Sequence, residues 1–519
     1  MGFLSGVTPR GFLIMVFASL GGLLFGFDNG WWGTVLGEQA FLCDYGATIM
    51  VKGVPTCNLT TSQQSAGTGV GSAGIMIGCA IAMYLNNRIG RQRSIFSLAI
   101  ISIIGIVVEM TSAIGSPARY GQFLAGKVIN SIAMGVACNV IPIYLSETSP
   151  ASARGFVINM YQTVQIIGVI VASGSVYAVA TRTDKSGYLI PMGIQLLAPT
   201  LILAVVPFIP ESPRWLVWVG RKEDAINASS SLFKSEGNDF DASDYVHKLE
   251  IAFQEQREEA QATGWRDLAR QPDLRRVLIA MGIQSLQQAQ GSSYMTNYIV
   301  SFLIGVGVVN YFPVIMGLYC LYFVTICTGS FLPDLIGRRP ILLSTSAFCA
   351  ATLIIVSILT TAFADPSSSV QKASIALIFL WYASFGAQSP LIWIVTAEAA
   401  PTRNREKVLG LATFCGFGVQ LIITFVAPYL QDPGFGNLGS KIGFIWGAFS
   451  LINIAFVFFF VPETKGHSLE QLDYLYENRV ATRKFKGYHF DDAVLATNTN
   501  VVDEITIEKS DNRKNELEY

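Results

Sequence analysis

Runs of about 20 apolar residues recur along this chain, and nothing else in the sequence restricts its fold as strongly. About twelve are present, at 11–34, 66–85, 94–114, 120–145, 156–180, 188–209, 276–305, 311–332, 340–363, 372–397, 408–430 and 441–461. At 1.5 Å per residue, each is long enough as a helix to cross a hydrocarbon layer of roughly 30 Å. Only 14% of the 519 residues are charged, and the mean hydropathy of +0.45 is far above that of a soluble domain. The runs are rich in Gly, Ala and Ser and lack strict alternation, which favours packed transmembrane helices over a β-barrel. The expected class is an all-α membrane protein with twelve transmembrane helices, numbered here as spans 1 to 12.

Lys and Arg set the orientation. They crowd the loops after even-numbered spans, as at Arg88, Arg91 and Arg93, and are sparse after odd-numbered ones. Both termini and the even loops are therefore expected in the cytoplasm, with span 1 serving as the insertion signal. The first outer loop holds Cys43 and Cys57, a possible disulfide on an oxidising face, and Asn58-Leu59-Thr60, an N-glycosylation pattern. A polar segment at 211–275, containing the amphipathic stretch "EIAFQEQREEA", separates spans 6 and 7. After His467 the chain is polar, and from about Asp491 it reads as disordered.

Three pairs of loop signatures repeat at an offset of about 250 residues. Asn87–Arg91 matches Asp334–Arg339; Glu147-x-x-Pro150 with Arg154 matches Glu398-x-x-Pro401 with Arg405; Pro210-Glu211-Ser212 matches Pro462-Glu463-Thr464. An even number of spans lies between the copies, so they form parallel halves, 1–210 and 276–465, of the kind that rock around a central site. The helical segment 211–275 and the tail 466–519 lie outside the two bundles. Glutamates facing loop arginines can act as latches, and the expectation is that they lock the cytoplasmic ends of the halves together. The residues so placed are Arg88, Arg91, Glu147, Arg154 and Glu211 in one half and Arg338, Arg339, Glu398, Arg405 and Glu463 in the other.

With "PESPRWL" at Pro210–Leu216, "PETKG" at Pro462–Gly466, "IGRR" at Ile336–Arg339 and "SPLIWIVTAEAAP" at Ser389–Pro401, the chain resembles the fungal sugar porters of the major facilitator superfamily over roughly 10–470. The resemblance implies the major facilitator fold with a small cytoplasmic helical domain, and a plasma-membrane location.

A buried polar group in lipid must be satisfied or face water, so glutamines within spans point inward. In span 7, Gln284, Gln287, Gln288 and Gly291 share one helical face. A stripe of neutral amides suits a ligand covered in hydroxyls, because each group both donates and accepts. Gln162 and Gln165 in span 5, Gln388 and Trp393 in span 10 and Gln420 in span 11 extend the set. Gln162, Gln287, Gln288 and Trp393 fall on positions similar to the family's sugar contacts. Ser293 replaces the family's usual Asn, and Gly416-Phe417 its frequent Asn-Trp, so no particular sugar is implied.

Asp28 is a carboxylate within an apolar run, and Lys127 in span 4 is its expected cation. Motion that alters their separation couples to protonation, which makes the pair a candidate proton relay. The family's proton-coupled members look similar but usually carry Arg where this chain has Lys127, a point charge able to lose its proton when buried. Glu109, near the outer end of span 3, is expected to reach the interface.

The leading expectation is symport of a hexose or related sugar with a proton. The alternatives are a proton-independent facilitator, a disaccharide or pentose carrier, and a sugar sensor that does not transport. No nucleophile or metal-ligand constellation occurs within the spans and no P-loop is present, so neither an enzyme, a metal, a cofactor nor ATP drive is expected. The partners expected are sugar, proton and lipid, with no nucleic acid, for a functional monomer.

Overall fold

The computed structural model describes residues 8–488 except 52–53, 116–117, 150–153, 234–240, 252–266, 364–367, 402–403 and 468. Eleven helices in it are long and apolar enough to cross a membrane. They are span 1 (Pro9–Val35), span 2 (Thr61–Ile89), span 3 (Arg91–Thr111), span 4 (Tyr120–Thr148), span 5 (Asn159–Val179), span 6 (Ser186–Phe208), span 8 (Tyr311–Gly329), span 9 (Arg338–Ala362), span 10 (Ser368–Ala399), span 11 (Lys407–Gln431) and span 12 (Gly439–Phe460). The twelfth apolar run, span 7, is also helical but broken. Asp273–Gln287 leads into a wider turn at Gln288–Ser292, where Gly291 takes φ 112°, and then into Ser293–Asn297 and Ile299–Gly305.

Local signals set the ends of these helices. Thr60 and Gln63 form a reciprocal capping box at the start of span 2. Gly90 at φ 89° ends span 2 and Gly337 at φ 108° precedes span 9, both in a conformation that favours Gly.

Small residues allow the spans to pack backbone to backbone. In spans 1 and 5, a Cβ on Gly22 would stand 2.5 Å from the Tyr161 carbonyl oxygen and one on Gly26 1.7 Å from that of Gln165. In spans 2 and 4, Gly78 and Gly135 meet in the same way. Spans 9, 10 and 12 pack together, as do spans 7 and 11. One buried core is drawn mainly from spans 1 to 6 and another from spans 7 to 12 and the tail. A third, containing Trp31, Trp32, Tyr294 and Trp446, unites both groups.

Outside the spans, β1 (Ala47–Val51) and β2 (Val54–Asn58) form a hairpin with Thr48 opposite Cys57, and Cys43 and Cys57 are disulfide-bonded. Asn58 is half-buried at its end. Between spans 6 and 7 lie helices at Pro213–Val219, Lys222–Leu232 and 242–251; residues 252–260 of the expected amphipathic stretch are outside the described residues. The tail is not polar throughout. Its helix Leu469–Glu477 buries Leu472, Leu475 and Tyr476, and the buried Arg276 donates to the Ala399 and Ala400 carbonyls and pairs with Asp473. Residues beyond 488, expected to be disordered, lie outside the described residues.

Candidate transport site

Spans 1, 2, 4, 7 and 11 line a narrow cleft. Its wall includes Asp28, Asn29, Thr68, Lys127, Asn297 and Gln420. Asp28 is 3% exposed and Lys127 2%. Lys127 Nζ lies 3.4 Å from Asp28 Oδ2, while the Asn130 and Gln195 amides each donate to Oδ1 at 2.9 Å. Lys127 also sits 4.6 Å from the Trp32 ring centroid and 5.7 Å from that of Trp31, an aromatic cage for its charge. The pair therefore faces a space whose other polar lining is hydroxyls, neutral amides and an indole, with Ile75 and Met134 as its apolar wall.

The remaining expected contact residues are distributed around this cleft rather than gathered in it. Gln284 donates to Thr396 at 3.3 Å, and Gln287 is buried. Gln288 accepts from Ser293 at 2.7 Å, and Gln162 is half-buried with an oxygen that accepts no hydrogen bond. The Gln165 backbone packs against Gly26. Trp393 is 39% exposed. Gln388 belongs to the packing instead: its oxygen accepts from Gln290, its nitrogen donates to Ser346, and Asn453 joins the same hydroxyl. Every polar group of that amide is used between helices, which leaves none for a ligand.

The sequence alone did not point to several of the functional candidates. Asn29, Thr68 and Asn297 reach the cleft, and Asn130 and Gln195 hold Asp28. Asn297 lies one turn beyond Ser293 and donates to its carbonyl at 2.8 Å, so spacing on span 7 is the signal that could have found it. Glu109 does not reach the interface: it is 0% exposed, because span 3 turns it against Gly126 of span 4.

A protein-family model, Sugar (and other) transporter, matches residues 14–476. The chain belongs to this transporter family. It is 31% identical to Major facilitator-type transporter ecdD of Aspergillus rugulosus, over 89% of this chain and 87% of that protein. It is 28% identical to High glucose sensor RGT2 of Saccharomyces cerevisiae, over 89% of this chain and 60% of that longer protein. The partially occluded inward-open structure of the xylose transporter XylE from E. coli shares its fold, with TM-score 0.72 at 20% identity, over 89% of this chain and all of that one.

At the ends of spans 2, 6, 8 and 12, the repeated signatures build the same device twice. Glu211 accepts from the backbone N–H groups of Arg91 and Gln92, and Glu463 from those of Arg338 and Arg339. Each carboxylate thus sits at a helix N-terminus, where exposed N–H groups and the helix dipole favour an anion. Each glycine before the helix makes room: a Cβ on Gly90 would lie 2.3 Å from Glu211 Oε2, and one on Gly337 2.7 Å from Glu463 Oε2. Arg91 donates to both oxygens of Glu147, and Arg338 donates to Glu398.

These pairs join helices within one half, which corrects the expected lock between halves. Arg88 is exposed and stacks on Tyr84, Arg339 donates to the Phe458 carbonyl, and Arg405 is half-buried in the field of Glu398 and Asp473. The Arg154 side chain lies outside the described residues.

The two groups of spans meet at the end opposite those carboxylates. Tyr311 donates to the Gly37 carbonyl at 2.8 Å, Ser65 donates to the Phe425 carbonyl, and Thr61 donates to Asp432. A Cβ on Gly33 would lie 2.3 Å from the Thr296 carbonyl oxygen. These contacts close that end of the molecule around spans 1, 2, 7, 8 and 11.

Proposed function

We propose that the protein is a plasma-membrane symporter that carries a neutral monosaccharide together with a proton by alternating access, with both termini in the cytoplasm. One observation carries this reading: the Asp28–Lys127 pair lies on the wall of the same cleft as Asn29, Thr68, Asn297 and Gln420. Amides and hydroxyls without net charge complement a polyol. A carboxylate whose cation and amide donors come from spans 4 and 6 exchanges partners when those spans move, and this ties its protonation to the conformational cycle. The family match and the hexose and xylose carriers among its relatives support a sugar as cargo.

The test is uptake of a panel of labelled sugars into cells that lack their own carriers, at acidic and neutral outside pH, with and without a protonophore. The expected result is accumulation of one monosaccharide above its outside level, abolished by the protonophore. Asp28→Asn should lower accumulation at least tenfold while leaving sugar exchange. Uptake that only equilibrates and ignores pH would instead make the protein a facilitator. The similarity to a glucose sensor favours a second reading, in which sugar alters tryptophan fluorescence of the purified protein but none of the panel enters the cell.

A further inference from the structure

We infer that Glu109 is a second proton-binding site of this transporter, and that Asp28 and Glu109 share one ammonium, Lys127, and one proton. The inference rests on the proton coupling proposed above. Span 3 presents Ser102, Gly105 and Glu109 to span 4 at i, i+3 and i+7. A Cβ on Gly105 would stand 2.5 Å from the Asn130 nitrogen, and one on Gly126 would stand 2.8 Å from Glu109 Cγ. The glycines thus bring the Glu109 side chain down beside Lys127, within the fields of both Lys127 and Asp28.

The two carboxyl groups have opposite surroundings. Asp28 receives three donors, from Lys127, Asn130 and Gln195, and Ser102 fixes the Asn130 amide by donating to its oxygen at 2.7 Å. Both oxygens of Asp28 therefore have partners. Glu109 is fully buried, and among the described residues no donor reaches either of its oxygens. An ionised carboxylate cannot be held there without a partner. In this conformation the proton of the cluster therefore resides on Glu109, and Asp28 is the anion paired with Lys127.

The other groups around Glu109 do not alter this assignment. Tyr45, from the short helix Gln39–Tyr45, is the further titratable group in its field, and that hydroxyl is engaged with Ser112 at 2.6 Å. Span 6 contributes the neutral Gln195 amide to the cluster, and at the start of span 4 Gln122 donates to the Val108 carbonyl and to Thr111.

One ammonium between two carboxylates has two neutral arrangements. In the second, the Glu109 O–H bond breaks, the proton joins the Asp28 carboxylate, and Lys127, still charged, pairs with the Glu109 anion. No charge is created by the exchange. Asp28 lines the cleft, whereas Glu109 is fully buried and not part of its wall, so Asp28 is the door through which the stored proton enters and leaves.

Infrared spectroscopy of the transporter in lipid vesicles tests the storage site, and uptake of labelled D-glucose, or of the monosaccharide selected by the panel, tests its use. In wild type a protonated carboxyl band at neutral pH should shift in heavy water. Glu109→Gln should remove that band; Asp28→Asn, which mimics the protonated Asp28 of the second arrangement, should also weaken it, because Glu109 then becomes the anion that pairs with Lys127. Glu109→Gln should also cut accumulation at least tenfold and flatten its pH profile, while exchange of labelled for unlabelled sugar continues.

An unchanged band, or wild-type accumulation in Glu109→Gln, overturns the proposal. If Glu109→Gln loses exchange as well, Glu109→Asp decides: recovery of pH-dependent accumulation supports the store, and failure to recover it overturns it. Persistent accumulation in Asp28→Asn strikes the symport reading instead, so the two failures are distinct.

Discussion

Gly26 occupies the tightest crossing in the first group of spans, where its missing side chain lets span 1 meet span 5 two residues before Asp28. A Cβ there would stand 1.7 Å from the Gln165 carbonyl oxygen, a backbone atom that cannot rotate away. Overpacking of a fitted core costs about 1–3 kcal/mol, and here it also displaces Asp28. Gly26→Ala is therefore expected to lower both the thermal midpoint of the purified protein and the initial rate of sugar uptake per folded molecule; wild-type values for both would contradict this account. Asp28 and Lys127 were legible in the sequence because a charge in an apolar run has few other meanings. Asn130 and Gln195 were not, since an amide in a Gly- and Ser-rich helix serves equally well as a ligand contact or as a bond between helices. Gln388 illustrates the same ambiguity with the opposite outcome: Gln290 on span 7 and Ser346 on span 9 engage its oxygen and its nitrogen.

Span 7 shows what periodicity reads and what it misses. A spacing of i, i+3, i+4, i+7 placed Gln284, Gln287, Gln288 and Gly291 on one face, but that geometry assumes an unbroken helix. The wide turn at Gln288–Ser292 rotates the rest of the span: Ser292 donates back to the Gln287 carbonyl, Ser293 donates to Gln288, and Asn297 reaches the cleft. The sequence "QGSS" carried the signal, because Gly beside hydroxyl residues inside an apolar run marks a point where a membrane helix can open. Gly291 holds φ at 112°, and a Cβ there would also come within 3.3 Å of Trp446 Cβ. A left-handed conformation costs a non-glycine residue about 1–2 kcal/mol. Gly291→Ala is expected to straighten the turn, withdraw Asn297 and raise the KM for sugar roughly tenfold, with the amount of folded protein little changed. An unaltered KM would mean that Asn297 does not touch the sugar.

On the scale of the whole molecule, the repeat in the loops made the two-group architecture readable, whereas the conformation was not, because the contacts that close one end are scattered single hydrogen bonds and one backbone approach at Gly33 that form no sequence motif. Glu38 lies within that closure. It comes directly after Gly37, whose carbonyl accepts from Tyr311 of span 8; its carboxylate is buried, and the Gly187 backbone packs on Oε1. Burial outweighs the backbone N–H of Ala40 and lifts its pKa from an ordinary 4.5 to about 7. Opening that end hydrates Glu38 and returns it toward the ordinary value, so between those pH values the closed form binds more protons than the open one. By linkage the closed form is fully favoured below about pH 4.5, loses ground as pH rises towards 7, and changes no further above it. Hydrogen exchange of the amides around Gly37 and Tyr298, corrected for the intrinsic rate, should therefore show protection falling across that window in wild type. Glu38→Gln, which stays neutral, should keep its protection level throughout. If the variant loses protection along the same curve as wild type, some other group senses pH at that end, and Glu38 only fills space there.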